Sequence, residues 1–308
     1  MPESLTVTAP ATSANLGPGF DVLAVALDMT NTVTVTRRPG PLEVTVTGEG
    51  AGELAADASN LVCRALAAGL DSLDGLLVEC DNRIPLGRGL GSSAATICAG
   101  LVAANALGRH RWAPDEVLAR ATALEGHADN AAACIEGGIV AVAPGPRAVK
   151  IAPPEGLLFL AVIPAARIST DVARQALPPH IPHGDASFTL SRGIGLTLAL
   201  ERGDLDGVGP FLADRLHEPY RGPLVPGLDL LRTFIDGERC LGVTISGSGP
   251  TTLVWCRTVG SADLQREVAM TMGGAGHDVD VRTLRIAPGG VRARWTDTPP
   301  TALARAIG

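Results

Sequence analysis

Lysine is almost missing from this sequence: of 25 Lys and Arg residues among 308, only Lys150 is a lysine. A Walker P-loop, which needs Gly-Lys-Ser/Thr to bring an ammonium to the phosphates, is therefore excluded. Aromatic residues make up 3% of the chain, so aliphatic and alanine side chains must fill the interior that a 46% hydrophobic content allows. No run of about eighteen apolar residues occurs, and the N-terminus lacks a basic region followed by an apolar stretch. Secretion and membrane insertion are not expected, and a cytoplasmic location is. A formal charge of −7 and dispersed arginines, of which Arg37-Arg38 is the densest pair, argue against a nucleic-acid partner. The six cysteines show no Cys-x-x-Cys spacing and read as buried free thiols. His180 and His183, either side of Ile-Pro in a proline-rich loop, do not suggest a metal site.

What the chain does have is glycine in a telling place. Pro85-Leu86-Gly87-Arg88-Gly89-Leu90-Gly91-Ser92-Ser93-Ala94 runs from a glycine-rich turn into the start of a helix. Glycines there permit positive φ and close approach of a ligand, and the serines stand at the positive end of the helix, where N–H groups lack partners. The helix, Ala94 to Leu107, carries no charge and reads as buried. Alternate glycines do not fit the Gly-x-Gly-x-x-Gly dinucleotide fingerprint. A triphosphate cradle and a plain capped turn both remain open on these residues alone.

Elsewhere, strand-like alternation marks Leu5–Thr8, Asn31–Thr36, Leu42–Thr47 and Leu76–Cys80. Pro114 opens a helix to Leu124, and Ile139–Ala143 reads as a strand. Pro144-Gly145-Pro146 and Pro153-Pro154 punctuate the middle, and a length near 300 residues exceeds one ordinary core. Two domains are expected, 1–155 and 156–308. The second half reads as strands at Leu157–Ile163, Leu241–Ser246, Thr251–Cys256 and Val279–Ile286. Helices are expected near Asp171–Ala176, Ser187–Leu200, Asp204–Leu216, Leu228–Asp236 and Ala262–Met272.

The glycine loop resembles the Pro-x-x-x-Gly-Leu-Gly-Ser-Ser-Ala motif of the galactokinase, homoserine kinase, mevalonate kinase and phosphomevalonate kinase (GHMP) superfamily. Ala9-Pro-Ala-Thr-Ser-Ala-Asn-Leu-Gly-Pro-Gly-Phe-Asp21 and Gly242-Val-Thr-Ile-Ser-Gly-Ser-Gly-Pro250 are similar to its other two signatures. Glu125-Gly-His-Ala-Asp-Asn130, Ser169-Thr-Asp-Val-Ala-Arg174 and Arg215-Leu-His-Glu-Pro-Tyr-Arg221 resemble its homoserine kinase branch. Ala128, Ala131-Ala132-Ala133 and Leu23-Ala24 depart from that branch's commoner residues on the scale of packing.

The resemblance implies an α+β, two-domain fold, with a left-handed β-α-β unit in the first domain, a ferredoxin-like second domain and the active site between them. It implies an ATP-dependent kinase that phosphorylates the side-chain hydroxyl of L-homoserine on the way to threonine. A related kinase for another small hydroxylated acid, or a silent nucleotide-binding relative, are the alternatives. Its partners are ATP and the acceptor, and a homodimer is left open. The loop from Pro85 to Ala94 would hold ATP. Glu125, with Ser92 or Ser93, would hold Mg²⁺, which suits a sparse oxygen set completed by phosphates and water. Asn15, Asp21, Asn130, Thr170, Arg174 and Arg221 would hold the acceptor, the arginines gripping its carboxylate and Asp21 its ammonium. Glu125, Ser93 and Asn130 would form the catalytic set. An amide cannot take a proton usefully, so the resemblance points to in-line attack without a dedicated base; Asp129 and His127, adjacent in sequence, are the side chains to watch.

Overall fold

In the computed structural model, residues 4–143, 145 and 147–296 are described, and Pro144, Pro146 and residues 297–308 of the expected second domain lie outside that set. The chain opens with a long hairpin, β1 (Ser4–Asn15) and β2 (Gly19–Arg37), whose strands extend well past the expected segments. β3 (Glu43–Gly48), α1 (Leu61–Ala67) and β4 (Leu76–Asn82) follow, and β3 pairs parallel to β4. Neighbouring parallel strands need a crossover, and α1 lies on it, giving the expected β-α-β unit.

The glycine loop leads from β4 into α2 (Ser92–Gly108), then α3 (Pro114–Glu125), α4 (Asp129–Glu136), β5 (Ile139–Ala143) and β6 (Arg147–Ile151). α2 is apolar nearly all round because it is enclosed: Ile97, Cys98 and Leu101 are at most 1% exposed.

β7 (Leu157–Pro164) begins the second unit, followed by α5 (Thr170–Gln175), α6 (His183–Glu201), α7 (Leu205–Val208), α8 (Glu218–Arg221) and α9 (Leu228–Arg232). β8 (Cys240–Ile245), β9 (Thr252–Arg257), α10 (Ser261–Gly274) and β10 (Val279–Leu284) complete a four-stranded antiparallel sheet ordered β10-β7-β9-β8. Two β-α-β passages through α9 and α10, in that strand order, make the unit ferredoxin-like.

All of β7 is buried, and its alternation divides two cores. Leu157, Phe159, Ala161 and Ile163 join the large cluster containing the first sheet and Leu196 and Leu200 of α6. Leu158, Leu160 and Val162 join Leu231, Leu264, Val268 and Met272 from α9 and α10. Phe159 meets Trp255 edge-on at 4.9 Å, and the indole donates to Thr244 Oγ1 at 2.9 Å. These few aromatics carry the contact face.

Two expectations change. The single helix over Asp204–Leu216 is interrupted: after α7 the chain turns through a short 3-10 segment at Gly209–Phe211 around Pro210, which supplies no backbone donor. The final strand, β11 (Arg292–Thr296), pairs antiparallel with β1 in the first sheet although it lies beyond the expected boundary. Ile286 also bridges to Leu27.

Candidate active site

Three sequence motifs meet by hydrogen bonding at one place. The Gly247 N–H donates to Ala14 O at 3.1 Å, and Thr12 N–H donates to Leu90 O at 3.1 Å. Ser246 Oγ hydrogen-bonds to Ser13 Oγ at 2.8 Å and to Gly89 O at 2.6 Å. The end of β1, the glycine loop and the loop after β8 therefore share one scaffold. Gly89 and Gly91 have φ of 71° and 69°; a Cβ on Gly89 would strike the Ser246 carbonyl, and one on Gly91 the Thr12 hydroxyl. Glycine is required there by backbone packing as well as by φ.

No side chain caps α2. Its first N–H groups have no helical acceptors and open onto a cleft lined by Gly87, Gly89, Gly91, Ser92 and Ser93, among others. Ser93 Oγ donates to Glu125 Oε2 at 2.6 Å. This hydroxyl and carboxylate come from the start of α2 and the end of α3. A second cavity adjoins the same serines and is lined by Leu54, Asn60, Leu61, Asn82, Leu86 and Thr96.

The opposite end of the cleft is built from charged side chains. Asp21, at φ 54°, receives two hydrogen bonds from Arg174, at 3.3 and 3.1 Å, and both side chains remain about 40% exposed. Arg221 is 2% exposed; its Nε donates to Ala173 O at 3.3 Å and its Nη1 to Gly247 O at 3.2 Å. Burial, reinforced by the charge of Arg174, lowers its pKa from the usual guanidinium value. Thr170 lines the same cleft.

His127, Asp129 and Asn130 also line it. Sequence neighbours on a helix normally point apart, but His127 precedes α4 and Asp129 and Asn130 open it, so all three reach the cleft. Asn130 Oδ1 accepts from the Thr12 hydroxyl at 2.8 Å, and its Nδ2 donates to Asp129 Oδ1 at 3.4 Å, leaving one amide hydrogen for a ligand. Asp129 Oδ1 accepts from Asn130 N at 2.7 Å. His127 Nδ1 lies 3.3 Å from the same oxygen, within charge attraction but without hydrogen-bond alignment, and Asp129 raises the pKa of His127.

Several expected residues also have partners within the protein. Asn15 lines the cleft, yet its Oδ1 accepts from Asp21 N and its Nδ2 donates to Gly247 O, leaving one amide hydrogen for a ligand. Arg88 lines the cleft, while its guanidinium donates to the carbonyls of Pro164 and Ala165, at 2.8 and 2.9 Å, and links the two sheets. Leu86 lines the second cavity, and Ala94 lines neither cavity and is 1% exposed. Ile168, Gly247 and Ser248 are cleft residues that were not expected. The Ser-Gly-Ser-Gly-Pro string was the signal for the last two, whereas the second cavity, gathered from a loop, α1, β4 and α2, had none.

The GHMP kinases N terminal domain model matches residues 54–138, and the GHMP kinases C terminal model residues 196–270. The chain is 40% identical to a homoserine kinase of Moorella thermoacetica over 258 residues, covering 82% of this chain and 87% of that one. It is 39% identical to a homoserine kinase of Corynebacterium kroppenstedtii over 300 residues, covering 92% and 94%. A crystal structure of homoserine kinase from Cytophaga hutchinsonii superposes with a TM-score of 0.86 at 30% identity, covering 94% of this chain and 97% of that one. Shared motifs, topology and near-complete coverage agree: the chain belongs to the homoserine kinase family of the GHMP kinases.

Proposed function

We propose that this protein transfers the γ-phosphoryl group of ATP to the side-chain hydroxyl of L-homoserine, giving O-phospho-L-homoserine, the step that leads toward threonine. The observation that carries the proposal is the pairing, in one cleft, of an uncapped helix start with a zwitterion clamp made by Asp21, Arg174 and Arg221. The helix start suits phosphate oxygens. The clamp suits a small amino acid: its ammonium faces Asp21 and its carboxylate draws Arg174 away from Asp21 to join Arg221.

The cavity bounded by Leu54, Leu61, Leu86 and Thr96 would receive the nucleoside end of ATP, and the N–H groups at Ser92 and Ser93 its phosphates. Phosphoryl transfer asks mainly for alignment and charge stabilisation. With no lysine in the loop, backbone dipoles meet that charge, and a metal held beside the loop would share it. The oxygen pair Ser93 Oγ and Glu125 Oε2 fits Mg²⁺, which binds few protein ligands and keeps phosphates and water. Bound there, it would neutralise phosphate charge. The Asn130 NH₂ orients the acceptor hydroxyl or a phosphate oxygen, while its amide takes no proton; attack proceeds without a dedicated base.

An ADP-release screen over homoserine, threonine, serine, mevalonate and galactose tests the assignment. Homoserine should turn over with the highest kcat/KM. Preference for a hydroxyl compound lacking an amino-acid group would refute the clamp, and no turnover of any would favour a silent relative.

A further inference from the structure

His217 has no part in the phosphoryl-transfer reading, yet it is wholly shielded from solvent and touches the site from behind. Its Nε2 lies 2.9 Å from the Gly17 carbonyl. A carbonyl can only accept, so Nε2 carries the hydrogen, and in the neutral ring Nδ1 presents a lone pair. That lone pair lies 3.5 Å from Arg221 Nη1, the same nitrogen that donates to Gly247 O. Phe20 stacks on the imidazole at 5.3 Å, and the Arg221 guanidinium lies 5.3 Å from the same phenyl ring. His217 is thus wedged between the β1–β2 turn and the arginine.

The charged groups around it come from three segments. Asp214, just before α8, places Oδ2 3.7 Å from Nε2. Its carboxylate is already occupied by the Thr189 hydroxyl and by the N–H groups of Leu216, His217 and Glu218. Asp21, from β2, also favours a charged ring, and Arg221, from α8, opposes one. Burial outweighs the carboxylates and holds the His217 pKa below the ordinary imidazole value.

We propose that His217 is a positioning residue for the acceptor site: its neutral ring holds Arg221 toward the acceptor carboxylate, and protonation of the ring switches acceptor recognition off. This rests on reading Arg221 as the carboxylate grip. A proton on Nδ1 would set donor against donor and cation against cation across 3.5 Å. Asp214, saturated by four donors, has no free lone-pair direction to relieve it. Arg221 would leave Ala173 O and Gly247 O, and the clamp would open.

The test compares wild type and His217→Gln from pH 5 to 8.5, reading KM separately for homoserine and ATP. Glutamine retains an amide donor for Gly17 and does not titrate. In wild type, homoserine KM should climb by up to about tenfold per pH unit below the His217 midpoint, with ATP KM not following. The variant should lose that acid limb. An identical limb in both proteins overturns the proposal. Nitrogen-15 NMR of wild-type imidazoles gives an independent reading: at pH 7 His217 should be the neutral Nε2–H tautomer, and saturating homoserine should lower its midpoint. A charged ring, the Nδ1–H tautomer, or a midpoint unmoved by homoserine would each overturn it, even if the variant fails to fold. Arg221→Lys at pH 8 separates the two readings. Unchanged homoserine KM there refutes the carboxylate grip, whereas a raised KM beside a pH-insensitive effect of His217→Gln refutes only the role of His217.

Discussion

The two ends of the cleft are made of different material. At the glycine loop, the proposed phosphate site is backbone: three glycines at positive φ and uncapped N–H groups, while the Arg88 guanidinium holds carbonyls of the neighbouring sheet. The proposed acceptor end is made of side chains drawn from β2, α5 and α8, balanced against one another as an Asp21–Arg174 pair beside a buried Arg221. A backbone site should tolerate side-chain change but not a change of chain path. A side-chain site should do the reverse.

Gly89→Val breaks that contrast most severely. The new Cβ meets the Ser246 carbonyl in the adjoining loop, so more than nucleotide affinity should be lost. The expected outcome is failure of the loops to dock, with a destabilisation of several kcal/mol, read as a lowered Tm together with lost ATP binding. A variant with wild-type Tm and no ATP binding would show that the neighbouring loop yields.

Glu125→Gln should follow, lowering kcat on the order of 10²–10³-fold at saturating ATP and homoserine, because it removes the charge at the oxygen pair proposed to hold the metal. Excess Mg²⁺ should restore only part of the rate. A loss under tenfold would place the metal elsewhere.

Arg174→Lys sharpens the comparison from the acceptor side. A point charge replaces the planar fork, so homoserine KM should rise about 30-fold, from a charged hydrogen bond worth roughly 2 kcal/mol, while ATP KM barely moves. Equal rises would assign the arginine to phosphate.

Asp129→Asn should be smaller still, under about tenfold in kcat, if no base is used; a lost general base costs about 10²–10⁴-fold. Because Asp129 proves to line the cleft, this variant is the decisive check on the base-free reading.

A stability effect, the smallest for turnover, concerns Glu218, which accepts from Ile245 N at 2.8 Å and from Arg232 at 3.1 Å beneath the site. Burial pushes its carboxyl up to about 7, against the lowering by Ile245 N–H and Arg232. The folded state thus holds a proton more tightly than the unfolded one. Its contribution is complete below the unfolded value near 4.5 and is lost as pH rises through about 7. Urea midpoints at pH 5 and 8 should show Glu218→Gln gaining relative to wild type at the higher pH. No relative change would mean that the carboxylate is ionised throughout.

Legibility followed the same division. The glycine loop and the strands of the ferredoxin-like unit were readable because each is a local pattern, glycine spacing in one and short apolar runs in the other, whereas Glu125 was reached through resemblance. Both arginines of the clamp were reached only through resemblance, since nothing local distinguishes Arg174 or Arg221 from a surface ion pair. The commitments of Asn15 and Arg88 to backbone carbonyls were invisible, because their acceptors lie 232 and 76 residues away. The break after α7 was announced by Gly209-Pro210 and was outweighed by the apolar pattern around it. The β11 pairing had no local mark at all, its residues being mostly exposed.

That pairing bears on how the protein is made. Ser4–Thr8 belongs to the first of the described strands to emerge from the ribosome, but its outer partner, Arg292–Thr296, emerges after every other described strand. Until then β1 presents an open edge, with unpaired backbone groups that other chains could join. The ferredoxin-like unit has all four of its strands by Leu284 and can close first. Synthesis order and completion order are thus inverted: the sheet begun first is the sheet finished last.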